Sequence, residues 1–336
     1  MALSKILPAS QAQYAGARNL IINGAMQVAQ RGTSVTAKTN TAYQTVDRFL
    51  TETNGATYDH SQSTTVPSGQ GFSYSLKAVI DGAFTPTSAQ YFIPFEQRIE
   101  GQNLQHLAYG TSDAKSVTLS FWIRSSKTGT YVVEFSNFNS TQSRKYSKQY
   151  TIDAADTWEY KTLTWEGDTV RSFDNTNDVE GVFYWWVTAG TDFNSGTIPS
   201  GWENSTTANR AVGVPTSLAD NDEYYLTGVQ VEVGEATPFE HRSYADELQR
   251  CMRYYEKSYV DCQYFMNGSS GAQVQRQTNY FQVQKRANPT RTQTATHADS
   301  GATVGNVGGN IDGTTHSFGG SDNQRVAFSW TADAEV

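Results

Sequence analysis

Residue types that commonly carry catalysis are present in this chain, but their spacing fits no known catalytic arrangement. The five histidines are His60, His106, His241, His297 and His316, and no two of them lie at metal-ligand spacing. The sequence holds no nucleophile elbow, phosphate-binding loop or dinucleotide fingerprint. Glycoside hydrolysis needs only two carboxylates that the fold brings together, and the candidates are Glu166, Asp168, Glu232 and Glu235. Without a defined pair, the sequence predicts a protein that is not an enzyme and uses no cofactor, and it leaves metal binding open.

Carbohydrate binding is the chemistry that the aromatic and amide residues favour. Sugars stack their C–H faces on aromatic rings, and their hydroxyls pair with amides and carboxylates. The candidate ligand contacts are Trp202, Trp185, Asn204 and Asn194. Tyr184 and Trp186 point to one side of a strand and Trp185 to the other, so at least one of these sides must be core. Trp202, in the loop sequence PSGW, is the better placed candidate.

The elements that position these residues are predicted to be strands. Aromatic residues make up 12% of the 336 residues and charged residues only 17%, which suits pleated, half-buried surfaces. Residues 117–124 (VTLSFWIR) alternate with a period of two, and residues 182–187 are apolar on both faces, as in an inner strand. Similar runs with turn residues between them continue to about residue 235. The chain is therefore predicted to be all-β, with a sandwich or barrel in this part.

One helix is predicted, at residues 243–256. Ser243 has the side chain of an N-cap, and Asp246 stands where it completes a pair resembling a capping box. The apolar residues at helical spacing are Tyr244, Leu248, Cys251, Met252 and Tyr255. This stripe either packs on its own domain or contacts another subunit, and in the second case Leu248, Met252 and Tyr255 are the candidate oligomer contacts. The β module after residue 268 has few aliphatic residues, which favours oligomerisation.

Charge and hydropathy argue against two kinds of partner. The chain has 33 acidic and 25 basic residues, a net charge of −8 and no basic stripe, so nucleic-acid binding is not expected. No run approaches the roughly 20 apolar residues of a membrane span, so membrane insertion is not expected.

Residues 1–8 lack the features of a signal peptide, which predicts synthesis in the cytoplasm. Cys251 and Cys262 match no zinc or redox motif; two reduced thiols are expected, with a local disulfide as the alternative.

A series of motifs, in chain order, resembles a family of tail-fibre, receptor-binding and structural proteins of marine and environmental tailed bacteriophages. The motifs are RNLIINGAMQVAQRG at 18–32, DRF at 47–49, QRIEG at 97–101, LSFWIRSS at 119–126, TGVQVEVG at 227–234, ATPFEHRSY at 236–244, CMRYY at 251–255 and ADAE at 332–335. The resemblance covers nearly the whole chain. It carries no catalytic residues.

The resemblance implies a jelly-roll β-sandwich, similar to a carbohydrate-binding module, followed by a short helix and a small C-terminal β-sandwich. The predicted segments are an N-terminal arm for attachment or assembly at 1–17, the jelly roll at 18–242, the helix and a connector at 243–267, and the C-terminal sandwich at 268–336. The implied function is that of a bacteriophage virion protein, a tail fibre or receptor-binding protein that contacts host surface polysaccharide. A homotrimer with other virion proteins as partners is expected. The alternatives are a capsid decoration or head-fibre protein with an assembly role and, less favoured, a glycan-cleaving enzyme.

Overall fold

The structure is a computed structural model that describes residues 18–138, 143–258, 262–265, 273–299, 302–320 and 324–335. The predicted N-terminal arm, residues 1–17, lies outside the described residues, as does the side chain of Cys262. The chain divides into two compact units, one ending at Arg242 and the other beginning at Ser243. In both units the described residues form mainly antiparallel strands, so the all-β prediction is confirmed.

The first unit is a jelly-roll β-sandwich of two sheets. Its described strands are β1 (Ser34–Lys38), β2 (Ala42–Tyr43), β3 (Phe49–Asn54), β4 (Tyr58–Ser63), β5 (Ser75–Ile80), β6 (Tyr91–Glu100), β7 (Val117–Ser125), β8 (Gly129–Phe138), β9 (Ser143–Ile152), β10 (Glu159–Trp165), β11 (Val179–Trp186), β12 (Thr188–Ala189), β13 (Glu203–Asn204) and β14 (Glu223–Val233). The six-stranded sheet has the order β1-β4-β5-β14-β7-β10. The eight-stranded sheet has the order β13-β9-β8-β11-β6-β3-β2, and β12 also pairs with β6.

The core of the first unit fills the space between these two sheets. Alternate positions of β7, with Leu119, Phe121 and Ile123, point into this core, as the period of two in the sequence predicts. Strand β11 lies between β8 and β6, and the Phe183 ring stacks on Phe135 with 4.2 Å between ring centroids. The prediction of an inner strand at 182–187 is confirmed.

Short helical segments connect some of these strands. They are the α-helix Thr191–Asn194 and the 3₁₀ helices Gly101–Asn103, Gln105–Leu107 and Thr207–Asn209. Across the described part of the chain, no helix is long and apolar enough to cross a membrane.

The second unit begins with the predicted helix, which runs over Tyr244–Met252. The Ser243 side chain accepts a hydrogen bond from the Asp246 backbone N–H, so the predicted N-cap is confirmed. The predicted end at residue 256 is wrong, because the chain after Met252 turns into a strand that hydrogen-bonds to the last strand of the chain. A backbone N–H that pairs across a sheet is not available to continue a helix.

The remaining strands of the second unit form a small sandwich of two sheets. They are β15 (Tyr255–Lys257), β16 (Cys262–Phe265), β17 (Gln273–Tyr280), β18 (Thr290–Ala298), β19 (Thr303–Gly309), β20 (Gly313–Gly320) and β21 (Arg325–Asp333). One sheet has the order β15-β21-β16 with β18 also paired to β21, and the other has the order β17-β20-β19. Because β15 and β16 belong to this sandwich, the segment predicted as a helix and connector supplies two of its strands.

The predicted oligomer contacts have different positions in this structure. Met252 is 2% and Tyr255 is 8% exposed. A buried side chain is not available to a second subunit, so these two contacts are wrong. Leu248 is half-buried, and it remains a predicted contact.

Candidate functional site

Three polar side chains lie side by side on the outer face of the eight-stranded sheet. Glu96 on β6 and Glu134 on β8 both pair with Tyr184, which occupies the strand between them. Their neighbours in sequence, such as Phe95 and Phe135, point into the core between the sheets. Since successive side chains of a strand point to opposite faces, the row Glu96–Tyr184–Glu134 points away from that core.

A loop brings an arginine onto the same face. The Arg210 guanidinium donates two hydrogen bonds to the Glu134 carboxylate, with N···O distances of 2.8 and 3.0 Å. The Lys145 ammonium lies 3.4 Å from the same carboxylate. The guanidinium also lies 4.7 Å from the centre of the Trp186 ring. The hydrogen bonds and the ring contact thus hold this loop on the sheet.

We call this surface the charged face. It consists of Glu52, Glu96, Arg98, Glu134, Lys145, Tyr184 and Arg210. The two carboxylates of the central row are fully buried, whereas Tyr184, Arg98 and Arg210 are partly open to solvent. Solvent therefore reaches a phenol ring and cationic groups that buried carboxylates hold in place.

The two glutamates of the central row have opposite pKa shifts. Burial acts to raise the pKa of Glu134, but the Arg210 and Lys145 cations outweigh burial, and the net shift is downward. Burial raises the pKa of Glu96 to about 8; Arg98, whose Nε lies 2.5 Å from Glu96 Oε1, only partly offsets this, and Glu52 adds like-charge repulsion. The second carboxyl oxygen of Glu96 is buried and makes no hydrogen bond with any described residue. At neutral pH, Glu134 is thus a carboxylate, while most of Glu96 is protonated.

The protonation of Glu96 has a measurable effect on stability. A carboxyl group whose pKa is raised in the folded state keeps a proton that the unfolded chain releases. The contribution of this bound proton to the free energy of unfolding is therefore complete below the usual pKa of 4.5 and falls as pH rises towards 8. Glu96→Gln copies the protonated form, so the wild type is expected to lose up to a few kcal/mol relative to this variant between pH 4.5 and 8.

Thermal unfolding of both proteins at pH 5 and pH 8.5 measures this difference. The exposed position Glu235 provides the matched control, and Glu235→Gln should follow the wild type. If the melting temperatures of Glu96→Gln and the wild type change in parallel with pH, Glu96 does not carry a proton in the folded state.

None of the predicted ligand contacts belongs to the charged face. Trp185 is 0% exposed and packs edge-on against Phe121 in the core, so this prediction is wrong. Trp202 is half-buried: its ring packs against Phe135, and its Nε1–H donates to the Glu166 carbonyl at 2.6 Å. Much of the Trp202 ring is therefore occupied by the protein itself, and its role as a ligand contact remains a prediction.

The two predicted asparagines lie on neighbouring segments. Asn204 is exposed at the edge of the eight-stranded sheet, opposite Arg144 of β9. Asn194 ends the short helix, where its side-chain N–H donates to the Ala189 carbonyl at 2.6 Å. Both stay predictions as ligand contacts, although half-buried Asn194 is already engaged in holding its own turn.

The carboxylates considered for hydrolysis have other partners. Asp168 pairs with Arg144 at 3.0 Å, and Glu232 accepts a hydrogen bond from the Thr237 hydroxyl at 2.7 Å. Glu166 and Glu235 are exposed. Within the ranges that the structure describes, no group of three or more His, Cys, Asp or Glu residues is placed to hold a metal ion.

Sequence reasoning placed Tyr184 on the opposite side of its strand from Trp185, but it missed the residues that surround Tyr184. The available signal was a charged residue directly after a run of apolar residues in a strand, as Glu134 in YVVEF and Glu96 in YFIPFEQRIE. A carboxylate in a strand with buried neighbours needs a partner, because an unpaired buried charge is costly. The identity of the partner, Arg210, depends on a loop that no local pattern places.

Comparison with known proteins finds similarity only at the level of solved structures. No protein-family model and no curated protein matches the sequence. The enzymatically active domain of bacteriophage CBA120 tailspike protein 4 is 12% identical with a TM-score of 0.34; the match covers 64% of this chain and 21% of that one. A structure named CBM4 is 14% identical with a TM-score of 0.33 and covers 64% of this chain and 99% of that one.

A third match is the family 11 carbohydrate-binding module of Clostridium thermocellum in complex with a mixed-linked tetrasaccharide. It is 10% identical with a TM-score of 0.30, and the match covers 62% of this chain and 97% of that one. The matched part of this chain spans about a fifth of the tailspike domain. At such identities and TM-scores the function must be inferred from the residues of this chain.

Proposed function

We propose that the first unit binds glycans through the charged face. The observation that carries this proposal is the row Glu96–Tyr184–Glu134, with Arg210 fixed across one end by two hydrogen bonds. A sugar presents hydroxyls, which both donate and accept hydrogen bonds, beside apolar C–H faces. Cationic donors held beside a partly exposed phenol ring match both properties at once.

The internal pairing of charges favours a glycan over a polyanion as the ligand. Arg210 and Lys145 pair with Glu134 and are also attracted by Glu52, so two of the three cations of the face are already compensated. Phosphate backbones bind through uncompensated cations, and the net charge of −8 opposes such binding. Hydrogen bonds to uncharged hydroxyls need no excess charge, and salt screens them little.

The proposal is one of binding without cleavage. Glu134 is fully buried and held by two cations, which leaves it unsuited to act as a nucleophile or base on a bound sugar. The absence of cleavage is tested by incubating the wild type with host polysaccharide and measuring the release of reducing ends. Release of reducing ends by the wild type would refute it.

The location and role of the chain in a virion are proposed from its sequence motifs. Their resemblance to tailed-bacteriophage proteins supports a tail fibre or receptor-binding protein of the virion, assembled as a homotrimer beside other virion proteins. A capsid decoration or head-fibre protein is the second candidate, because the same resemblance includes structural proteins. Placing the chain in the electron density of a purified particle, with its copy number, separates these possibilities.

The central residue of the face provides the test of glycan binding. Tyr184→Ala removes the ring but leaves the ion pairs of Glu134, so the affinity for host surface polysaccharide is expected to fall at least about tenfold, or ~1.4 kcal/mol. Tyr160→Ala is the matched control, since Tyr160 is 46% exposed on β10 of the opposite sheet. Binding is measured by calorimetry at low and high salt, and wild-type affinity should change little between them.

Two results would contradict the proposed binding mode. Equal affinities of Tyr184→Ala and the wild type would show that this face is not the contact. A wild-type affinity that collapses at high salt would show that uncompensated charge drives binding. Thermal unfolding of each variant establishes that it is folded at the temperature of the measurement.

A further inference from the structure

The second unit has a surface depression that is separate from the charged face. Its volume is about 330 Å³, near the lower end of the roughly 300–1,000 Å³ typical of small-molecule sites. The lining residues are Thr278, Tyr280, Gly309, Asn310, Asp312, Gly313 and Thr315. They come from the end of β17 and from the hairpin that joins β19 to β20.

The backbone of this hairpin keeps the depression open. A side chain at Gly309 would place its Cβ 2.3 Å from the Gly313 carbonyl oxygen, and one at Gly313 would place it 2.8 Å from the Asn279 carbonyl oxygen. Real Cβ atoms do not approach backbone so closely, so both positions require glycine. The missing side chain at Gly313 leaves room beside the one aromatic ring of the lining, which belongs to the residue that pairs with Gly313.

That ring belongs to Tyr280, which is 78% exposed. Both its faces and its hydroxyl are therefore within reach of a ligand in solution. In the register of the sheet, Tyr280 pairs with Gly313 and Thr278 with Thr315. The ring therefore stands beside a position without a side chain and a pair of hydroxyls, whose oxygens are 3.0 Å apart.

Polar groups on the hairpin complete the lining. The side-chain oxygen of Asn310 accepts a hydrogen bond from the Asp312 backbone N–H at 2.8 Å. One carboxylate oxygen of Asp312 accepts a hydrogen bond from the Gln284 side-chain amide at 3.0 Å. The Asn310 side-chain amide N–H groups and the other Asp312 oxygen have no hydrogen-bond partner among the described residues. Donors and an acceptor are thus both available around the ring.

We infer that this depression is a second saccharide site, which accepts a neutral sugar residue and rejects an acidic one. The exposed ring offers a stacking face, and Asn310, Asp312 and the two threonine hydroxyls offer the donors and acceptors that sugar hydroxyls require. The lining contains no aliphatic side chain, which disfavours a lipid or an apolar peptide. Its one charged side chain, Asp312, repels a uronic acid carboxylate.

The site does not depend on glycan binding by the first unit. Two sites on one chain would increase the strength of attachment to a surface that repeats the sugar, because the second contact forms at high effective concentration. The experiment must therefore separate the two sites within the full chain.

The test uses full-length Tyr184→Ala, in which the charged face has lost its ring. Saturation-transfer NMR is recorded with methyl glycosides of glucose, galactose, mannose, N-acetylglucosamine and N-acetylgalactosamine, and with glucuronic acid. At least one neutral glycoside is expected to receive saturation from the protein, and glucuronic acid none. Adding Tyr280→Ala should reduce that signal about tenfold, while adding Tyr244→Ala, at a tyrosine that is 56% exposed on the helix, should leave it unchanged.

Three outcomes would overturn the inference. The inference fails if no neutral glycoside receives saturation from Tyr184→Ala, or if the signal survives the addition of Tyr280→Ala unchanged. It also fails if glucuronic acid binds as well as the neutral sugars. None of these outcomes depends on whether the wild type binds host polysaccharide through Tyr184. Because Tyr280 is exposed, Tyr280→Ala is expected to keep the melting temperature of its parent, which confirms that a lost signal reports binding.

Discussion

Arg210→Ala is expected to destabilise the first unit by about 3–5 kcal/mol, the usual effect of removing one partner of a buried ion pair. Glu134 is 0% exposed, and Arg210 supplies both of its short hydrogen bonds. Lys145, at 3.4 Å, then remains as the only cation within ion-pair distance of Glu134 among the described residues. The variant also removes the guanidinium that packs over Trp186. Urea unfolding of wild type and variant measures the difference.

The double variant Arg210→Ala with Glu134→Gln separates the lost ion pair from the lost packing. Glutamine carries no charge, so the double variant is expected to regain a large part of the stability that the single variant loses. A double variant no more stable than Arg210→Ala would place the whole effect in packing and remove the electrostatic argument. The loss of the short bonds also frees the loop that carries Arg210, so glycan affinity should fall with stability.

Lys285→Met is expected to have an effect of similar size, about 3–5 kcal/mol, in the second unit. The Lys285 ammonium is 0% exposed and lies 2.5 Å from Glu256, which is itself 2% exposed. It also donates to the backbone carbonyls of Met252 and Val283. Burial lowers the pKa of Lys285, but the Glu256 carboxylate opposes this shift. Removing the ammonium leaves the buried Glu256 carboxylate without its cation, with the Gln282 N–H still donating to it, and leaves a helix-end carbonyl without its side-chain donor.

Trp330 provides a probe for this prediction, because it is the one tryptophan of the sequence after residue 243. Its resonance in protein labelled with 5-fluorotryptophan should report the unfolding of the second unit separately from the first. In Lys285→Met the midpoint of this transition should move to lower urea, and Glu256→Gln added to the variant should restore part of it. An unchanged midpoint would mean that the ion pair contributes nothing net to stability.

Local patterns in the sequence were sufficient to predict the strands and the helix start. The alternation of VTLSFWIR predicts which side chains of β7 face the core, because successive residues of a strand point to opposite faces whatever the strand pairs with. Ser243 predicts the first turn of the helix for a similar reason, since its hydroxyl reaches a backbone N–H only three residues away. Both signals involve only neighbours in the chain.

The errors of prediction occurred where distant segments decide the outcome. Helical spacing alone continues the helix to residue 256, but pairing of Tyr255 with Asp333 of the last strand ends it earlier. Trp185 and Tyr184 are adjacent aromatic residues, and alternation states only that they face opposite sides. Which of these sides the second sheet covers is settled by packing, and this buries Trp185 and leaves Tyr184 only partly buried.

The sequence by itself determined that this protein is built of strands, that a capped helix follows the first β unit, and that aromatic rings beside polar groups are its characteristic chemistry. Only the tertiary structure decided which rings and which polar groups meet. Glu96, Glu134 and Tyr184 come from three strands whose register depends on the pairing of the whole sheet, and Arg210 reaches them from a loop. The alternation of side chains along a strand is set by neighbouring residues and requires no loop closure. A site of this kind exists only after long loops have closed, at a cost in chain entropy, and after the sheet has formed in one register.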